Sequence, residues 1–270
     1  MLLSTRRLLS TFSAPLKALH KSNAHRAALA SAEPTRYDYI RTEVASRLVD
    51  RLEDVRDRDF PVALDLGAHC NHIHEHLAAE DSLSGNGGGI GGVRRLVTIE
   101  GCEEIVTGTD PVQEERVQTY RVPGISEHSM PLPFPDETFD LVISSMALHW
   151  TSDLPTTFNE INRVLKPDGA FFLAMAGGAT LPELRSAVLL AEEERDGGVS
   201  VHVGPFVDVS SMGMLLGNSG FKLPTIDVDT VTVTYPNMFT LCEHLSGMGE
   251  SNASVNRRSA GGGAGMSRDG

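Results

Sequence analysis

Two carboxylates stand at the ends of short apolar runs, which we interpret as buried strands. Residues 62–67 (VALDLG) form the first run, which carries Asp65 and turns at Gly67, and residues 96–100 (LVTIE) form the second, which ends in Glu100. A glycine leaves the amides of a turn open to a ligand, because it has no side chain. A carboxylate accepts hydrogen bonds from hydroxyl and amine donors. Asp65, Gly67 and Glu100 are therefore candidate binding residues.

Alternating histidines after the first of these strands suggest a possible metal site. Cys70, His72, His74 and His76 alternate, with Glu75 between the last two. On a helix only His72 and His76 share a face, four residues apart. Two histidines and a carboxylate suit iron, but the segment has no HExxH order. We therefore favour an exposed polar helix face and predict no metal.

Residues 131–169 contain the clearest pattern of secondary structure in the chain. Residues 139–146 are an apolar run that is typical of a buried strand. Apolar side chains then recur at helical spacing over 154–165, and 166–169 (KPDG) ends that helix in a turn. A second apolar run follows over 170–176. Strand, helix and strand in this order are the repeating unit of a parallel sheet.

The rest of the chain has weaker patterns. Residues 226–233 alternate as a strand does, and 101–125 allow no assignment. The glycine-rich residues 82–93 are predicted to be a flexible surface loop, because no Gly-Lys-Ser/Thr sequence follows to make a phosphate loop. Three further segments are predicted to be helices: residues 37–55, 181–195 and 209–219.

Composition excludes several classes of protein. A chain of 270 residues with 40% hydrophobic residues holds one sizeable α/β domain with extensions. A formal charge of −13 argues against nucleic acid as a partner. The three cysteines form no CxxC pair, so we expect a reduced compartment and no structural zinc. No apolar run approaches the length of a membrane-spanning helix.

The amino terminus differs in charge from the rest of the chain. Five basic residues and no acidic residue precede Glu33. An arginine- and serine-bearing segment without acids is typical of a mitochondrial transit peptide. We expect residues 1–35 to be a disordered targeting leader, 36–250 to be the folded domain, and 251–270 to be a disordered, truncated tail.

The sequence of residues 131–169 closely resembles part of the cofactor-binding core of class I, type 11 S-adenosylmethionine-dependent methyltransferases. The resemblance rests on the LPFPDETFD segment before one strand and the KPDG turn before the next. The SSMALHW text, followed by Asp153-Leu154-Pro155, narrows it to the mitochondrial complex I assembly factor 5 subfamily, with the methyltransferase of biotin synthesis beside it. The resemblance covers about residues 36–255 and includes YDYIRTEVASRLVDRLEDV and YPNMFTLCEHLSGMGESNAS.

The resemblance implies a Rossmann-like α/β fold, with a mostly parallel sheet and helices on both faces. In the resembling family a last strand inserts between the fifth and sixth strands. Residues 255–270 have no periodic pattern, so we expect that last strand to be missing from this chain and interpret the tail as a truncated gene product.

The resemblance also implies S-adenosyl-L-methionine as cofactor, bound by a D-x-G-x-G-x-G turn after the first strand. Asp65 and Gly67 match this pattern, while His69 and Asn71 replace the other two glycines. Asn71 tolerates the positive φ that glycine adopts there. The side chain of His69 is expected to crowd the turn and weaken cofactor binding.

Further cofactor contacts follow from the same resemblance. Glu100 matches the acid that binds the two ribose hydroxyls, and Glu127 lies near the position of an acid beside the adenine amine. Ser144 and His149, at and after the end of the fourth strand, are expected to face the cofactor. The alternative for His149 is a lid residue packed beside Trp150. No catalytic residue is assigned.

The function implied is that of a mitochondrial complex I assembly factor that binds S-adenosylmethionine and hydroxylates an arginine of an iron–sulfur subunit. Its partner would be that subunit or an assembly intermediate, on the matrix side of mitochondria, with peripheral contact to inner-membrane assemblies. Two alternatives stay open from the residues. One is a methyltransferase acting on a small carboxylate or acyl-carrier substrate, and the other is a non-catalytic binding module.

Overall fold

The computed structural model of the protein centres on one parallel sheet. It describes residues 11–55, 58–69, 72–78, 89–102, 117–122, 130–197 and 200–255. The strands within these residues are Val62–Leu66 (β1), Arg95–Ile99 (β2), Gln118–Val122 (β3), Phe139–Ser145 (β4) and Leu165–Ala174 (β5). They lie side by side in the order β3-β2-β1-β4-β5, and every neighbouring pair is parallel.

The strand order reverses between β1 and β4. The chain moves outward from β1 through β2 to β3 and then returns to place β4 on the other side of β1. Leu64 therefore pairs with Val97 on one side and with Val142 on the other. In open α/β sheets, ligands bind in the crevice outside the carboxyl ends of the strands at such a reversal.

Helices cover both faces of the sheet. One core joins helices Tyr39–Glu53 (α2) and His72–Ala78 (α3) to the side chains of Ala63, Leu96 and Leu141. The opposite core joins helices Leu154–Val164 (α4) and Val209–Asn218 (α6) to Leu64 and Val142. Successive strand residues point to opposite faces, which explains why neighbours such as Ala63 and Leu64 enter different cores. The helices are Ala14–Leu29 (α1), Tyr39–Glu53 (α2), His72–Ala78 (α3), Leu154–Val164 (α4), Pro182–Asp196 (α5), Val209–Asn218 (α6) and Met238–Gly247 (α7).

The strongest sequence patterns are confirmed. The predicted strand, helix and strand of 139–176 are β4, α4 and β5, and the two runs that end in Leu66 and Ile99 are β1 and β2. The helices predicted at 37–55, 181–195 and 209–219 are α2, α5 and α6. The KPDG segment is not a separate turn, because β5 already begins at Leu165 and takes in Asp168 at a φ of 66°.

The prediction of a strand at residues 226–233 is wrong. No strand is formed there, and Val228 is 72% exposed. A strand needs a neighbour for its backbone groups, and the outer edge of β5 is separated from this segment by a groove of about 2920 Å³. Within the described residues the sheet therefore ends at β5.

Residues 1–35 are predicted to be disordered, but part of this segment is folded. Its described part contains helix α1, which begins after Ser13, whose hydroxyl accepts a hydrogen bond from the Leu16 amide. Lys17 and Lys21 point into the protein and are 1% and 4% exposed. The buried side of α1 is polar, so hydrophobic periodicity cannot reveal it.

The glycine-rich segment is also partly packed, in contrast to the predicted flexible surface loop. Ile90 and Val93 are buried, and Gly91 adopts a φ of 70° against the side chain of Leu52. Residues 79–88 of this region lie outside the described part. Strand β3 and helix α7 were not predicted at all, because β3 falls in the unassigned stretch and α7 has no strongly apolar face.

Candidate functional site

Glu100 lies at the carboxyl edge of the sheet, directly after β2, and only 3% of it is exposed. Its two oxygens accept hydrogen bonds from the amides of His69 and Cys102, each at 3.1 Å. The Nζ atom of Lys21 lies 3.1 and 3.2 Å from the same two oxygens. The carboxylate thus stands where a ligand acceptor is predicted, and an ammonium group of α1 contacts it.

Asp65 lies on β1 beside this edge, and 1% of it is exposed. Among the described residues neither of its carboxylate oxygens has a hydrogen-bond partner. Burial, and next the charge of Glu100, raise the pKa of Asp65 to about 8. A buried acid without a donor is costly to keep, so this position favours a ligand that brings a donor or a positive charge.

The turn after β1 has a positive φ at its first glycine. Gly67 has a φ of 85°, and the amides of Gly67 and Ala68 both donate to the carbonyl of Ile99. His69 also has a positive φ, of 22°, and its side chain is buried. Burial, followed by the charge of Arg41, holds the pKa of His69 well below its usual value. His69 is therefore a neutral imidazole inside the turn.

The remaining predicted cofactor residues are placed less clearly. Asn71 and Glu127, like Cys70, lie outside the described residues. The hydroxyl of Ser144 donates to the carbonyl of Leu66 at 2.7 Å and is fully buried between β4 and β1. Ser144 thus joins two strands, and its contact with a cofactor stays a prediction.

A buried polar cluster follows β4 at the same edge. Residues 148–150 form a short 3-10 turn that buries both His149 and Trp150. The indole N–H of Trp150 donates to Oε2 of Glu250 at 2.5 Å, and Nε2 of His149 lies 3.4 Å from that oxygen. The rings of His149 and Trp150 are 5.5 Å apart. His149 therefore packs beside Trp150, as in the alternative that we considered for it.

Two cations complete this cluster around Glu250. The Nζ atom of Lys17 lies 2.6 Å from Oε2 of Glu250 and donates to the carbonyl of Gly249 at 2.7 Å. Arg41 of α2 donates to Oε1 of Glu250 at 2.7 Å and to the carbonyl of Met248. Lys17 also lies 4.0 Å from the centre of the Trp150 ring.

The charges of this cluster are fixed by their neighbours. Burial on its own would raise the pKa of Glu250, but Lys17, His149 and Arg41 outweigh it and hold that pKa well below the usual value. Burial lowers the pKa of Lys17 to about 8, with Glu250 opposing the shift. Burial likewise lowers the pKa of His149. At neutral pH the cluster thus holds a carboxylate, an ammonium, a guanidinium and a neutral imidazole.

Helix α1 therefore contributes a lysine to the Glu100 site and another to the cluster around Glu250. Lys21 contacts Glu100 after β2, and Lys17 contacts Glu250 and Trp150 beyond β4. Sequence reasoning missed both lysines, together with Arg41 and Glu250. The available signal was a pair of lysines four residues apart, on one face of a helix, but it was assigned to the leader.

The histidines after β1 do not gather into a metal site in the part of the chain that the structure describes. No group of three or more His, Cys, Asp or Glu side chains there is arranged to hold a metal ion. His72 and His74 are buried rather than exposed, which corrects the predicted exposed face of α3.

Of the helices described, none is long and apolar enough to cross a membrane.

The fold and the position of the site define a class of protein. A methyltransferase solved with the Haloferax volcanii Trm112 methyltransferase activator has the same fold, with a TM-score of 0.50 at 17% identity; the match covers 87% of this chain and 93% of that one. The family described as "Methyltransferase domain" matches residues 85–173. The chain is thus a Rossmann-like α/β protein with the class I methyltransferase fold.

Closer relatives identify the family. The chain is 43% identical over 252 residues to the mitochondrial arginine-hydroxylase NDUFAF5 of Rattus norvegicus, a match that covers 93% of this chain and 67% of that protein. It is 34% identical to a malonyl-[acyl-carrier protein] O-methyltransferase of Halorhodospira halophila, over 84% of this chain and 71% of that protein. The chain belongs to the family of the arginine-hydroxylase NDUFAF5.

The extent of the first match bears on helix α1. The match spans 252 of the 270 residues, so about 18 residues lie outside it. The segment up to Leu29 is longer than that, so at least part of it lies inside the match. The carboxyl-terminal part of α1, which includes Lys21, therefore belongs to the region shared with the relative. Helix α1, which contacts α7, thus lies ahead of the boundary predicted at residue 36.

Proposed function

We propose that this protein is a mitochondrial assembly factor of respiratory complex I, which binds S-adenosylmethionine at the carboxyl edge of the sheet and hydroxylates an arginine of an iron–sulfur subunit. The observation that carries the proposal is the 43% identity, over 93% of the chain, to a mitochondrial arginine-hydroxylase. The buried acids Asp65 and Glu100, at the carboxyl edge of the sheet, support the proposal.

The residues at the edge fit the proposed cofactor. Glu100 would accept hydrogen bonds from the two ribose hydroxyls of the cofactor. Asp65 would gain the hydrogen-bond donor that it lacks among the described residues, and the turn at Gly67 would face the amino-acid part of the cofactor. When bound, S-adenosylmethionine supplies a sulfonium centre with a transferable methyl group. For Glu100 to accept the ribose hydroxyls, Lys21 has to leave at least part of the carboxylate.

The protein side chains position the acceptor in this proposal. Hydroxylation replaces a C–H bond with C–OH, so the oxygen atom comes from an external oxidant such as dioxygen, and a reductant takes the second oxygen atom to water. His149 and Trp150 lie after β4, next to the reversal point, and so would border the reacting carbon. Their burial keeps that region away from bulk water.

Methyl transfer to an acyl-carrier substrate is the second candidate. It is favoured by the 34% identity to the malonyl-[acyl-carrier protein] O-methyltransferase. Such a substrate presents a carboxylate, for which Lys17 and Arg41 would be the partners. The two candidates differ in the charge of the acceptor, which makes them separable by experiment.

Two measurements test the proposal. Calorimetry on the full chain should detect S-adenosylmethionine binding, and Glu100→Gln should weaken it while Glu193→Gln, an exposed acid on α5, should not. Mass spectrometry of complex I iron–sulfur subunits should detect a +16 Da arginine in cells that contain the protein. Absence of that mass shift in both replete and depleted cells would refute hydroxylation, and methylated malonyl carrier would favour the second candidate.

The location of the protein in the mitochondrial matrix is part of the same proposal. The relatives are named as mitochondrial, and the acid-free segment before Glu33 suits import into the matrix. Because α1 packs on the domain, we expect cleavage ahead of Ser13, earlier than the boundary at residue 36 suggested. Amino-terminal sequencing of the mature protein would find a start beyond Leu29 if α1 were part of the removed leader.

A further inference from the structure

We infer that Glu250, the carbonyl of Gly249 and the indole face of Trp150 form the binding site for the arginine side chain of the substrate, and that Lys17 of α1 fills this site until a substrate arrives. The inference rests on the proposed arginine hydroxylation and adds to it the residues that recognise the guanidinium.

The first argument is the chemistry of the groups around the Lys17 ammonium. Oε2 of Glu250 lies at 2.6 Å, the carbonyl of Gly249 accepts at 2.7 Å, and the centre of the Trp150 ring is 4.0 Å away. All three are groups that bind cations, since the face of an indole ring attracts positive charge as a carboxylate does. A guanidinium satisfies them better than an ammonium, because it is planar and stacks on aromatic rings.

The second argument is that neighbouring side chains contact both Trp150 and Glu250 and so hold the pocket in place. The ring of Phe12 packs edge-on to Trp150 at 5.1 Å, and Phe206 packs edge-on to the same ring at 5.9 Å. Arg41 holds the other oxygen of Glu250 at 2.7 Å. With Arg41 on Oε1, the other oxygen, Oε2, accepts from the indole N–H of Trp150 and from a second cation, which in this structure is Lys17.

The third argument is location. Trp150 follows β4, the strand that lies beside β1 at the reversal of strand order. Lys21, which contacts Glu100, is four residues from Lys17, or about 6 Å along a helix. The pocket and the acid proposed to hold the ribose are therefore contacted by lysines about one turn apart on the same helix.

The fourth argument concerns α1 itself. Most buried helices enter a core with apolar side chains, whereas α1 enters with Lys17 and Lys21. Each lysine contacts an acid at the carboxyl edge of the sheet. Displacement of Lys17 by a substrate arginine would also loosen the part of α1 that carries Lys21. Arrival of the substrate would thereby help to expose Glu100.

Fluorescence of Trp150 tests the site directly, because it is the only tryptophan in the chain. We would titrate the full-length protein with Nα-acetyl-arginine amide, with the neutral citrulline analogue, and with malonate. Lys17→Met vacates the ammonium position and should bind the arginine amide at least about tenfold more tightly than the wild type, a difference of about 1.4 kcal/mol. The citrulline analogue should give no comparable change, and adding Glu250→Gln to Lys17→Met should remove the response.

Lys21→Met is the matched control, since it removes a buried lysine from the same helix but leaves the Trp150 pocket filled. Equal arginine affinity in the two variants would overturn the assignment, because loosening of α1 and not the vacated position would then explain binding. Tighter binding of malonate than of the arginine amide would also overturn it. Should Lys17→Met fail to fold, Lys17→Gln, which keeps N–H donors for Glu250 and Gly249, would take its place under the same criteria.

Failure of the pocket is distinguishable from failure of the proposed function. If cells with wild-type protein and cells with Glu250→Gln contain equal amounts of hydroxylated arginine, the hydroxylase activity is supported and the assignment of the arginine-binding pocket is refuted. If the arginine amide binds at Trp150 as expected but wild-type protein yields no hydroxylated arginine, the pocket stands and the hydroxylase proposal falls.

Discussion

Lys21→Met should tighten the binding of S-adenosylmethionine while it destabilises the protein without ligand. The Lys21 ammonium lies 3.1 and 3.2 Å from the two oxygens of Glu100, and the two side chains are 5% and 4% exposed. A ribose that binds Glu100 has to replace this contact. Hydrogen bonds to charged groups contribute about 1.5–3 kcal/mol, so removing the competitor should lower Kd by roughly 10- to 100-fold.

The same substitution has an opposite effect on stability. It removes a cation from a buried carboxylate, and breaking a buried ion pair in this way costs about 3–5 kcal/mol of the free energy of unfolding. The ligand then restores donors to Glu100. Isothermal titration calorimetry should therefore show the gain in affinity, and thermal unfolding should show a lower Tm without ligand together with a larger ligand-induced rise.

Two controls isolate the competition. Lys166→Met removes a lysine from a more exposed pair with Asp140, at 2.8 Å, and should change neither affinity nor stability by more than about 1 kcal/mol. In a Glu100→Gln background the affinity gain from Lys21→Met should disappear. Unchanged or weaker S-adenosylmethionine binding by folded Lys21→Met would refute the reasoning that Lys21 and the ribose share Glu100.

Three further outcomes are expected. Glu100→Ala should weaken S-adenosylmethionine binding by about 1.5–3 kcal/mol in calorimetry; an unchanged Kd would move the ribose-binding acid elsewhere. Asp65→Asn should remove a pH-dependent loss of stability: with its pKa raised from 3.8 to about 8, Asp65 stabilises the folded state fully below pH 3.8, and this contribution falls by about 1.4 kcal/mol per pH unit until it is lost as the pH passes about 8. Urea unfolding at pH 6, 7, 8 and 9 should show the advantage of the variant growing up to about pH 8 and then levelling, whereas parallel profiles would contradict the assigned pKa. Gly91→Ala should cost about 1–3 kcal/mol of unfolding free energy, because the residue has a φ of 70° and the new Cβ would lie 2.6 Å from Leu52; a Tm equal to the wild type would mean that this segment is not packed in solution.

The sequence alone determined the elements in which pattern and burial coincide. The runs at 62–67, 96–100 and 139–146 are apolar because central parallel strands are covered on both faces, and α4 was found because its apolar side chains recur at helical spacing. The sequence of residues 131–169, which supplies β4 beside the central strand β1, placed the chain in its family. Asp65 was located because it lies within the first of these strands, and Gly67 and Glu100 were located because they directly follow β1 and β2.

Tertiary structure alone decided what contacts those residues. Hydrophobic periodicity measures apolar faces, so it could not detect α1, whose buried side chains include Lys17 and Lys21. Nor could it show that residues 226–233 lack a strand neighbour, because pairing depends on what lies across the groove from β5. The cluster of Lys17, Trp150 and Glu250 joins three distant parts of the chain. Contacts of such long range leave no local pattern, and only the fold brings Glu250 to 2.6 Å from Lys17 and to 2.5 Å from the indole nitrogen of Trp150.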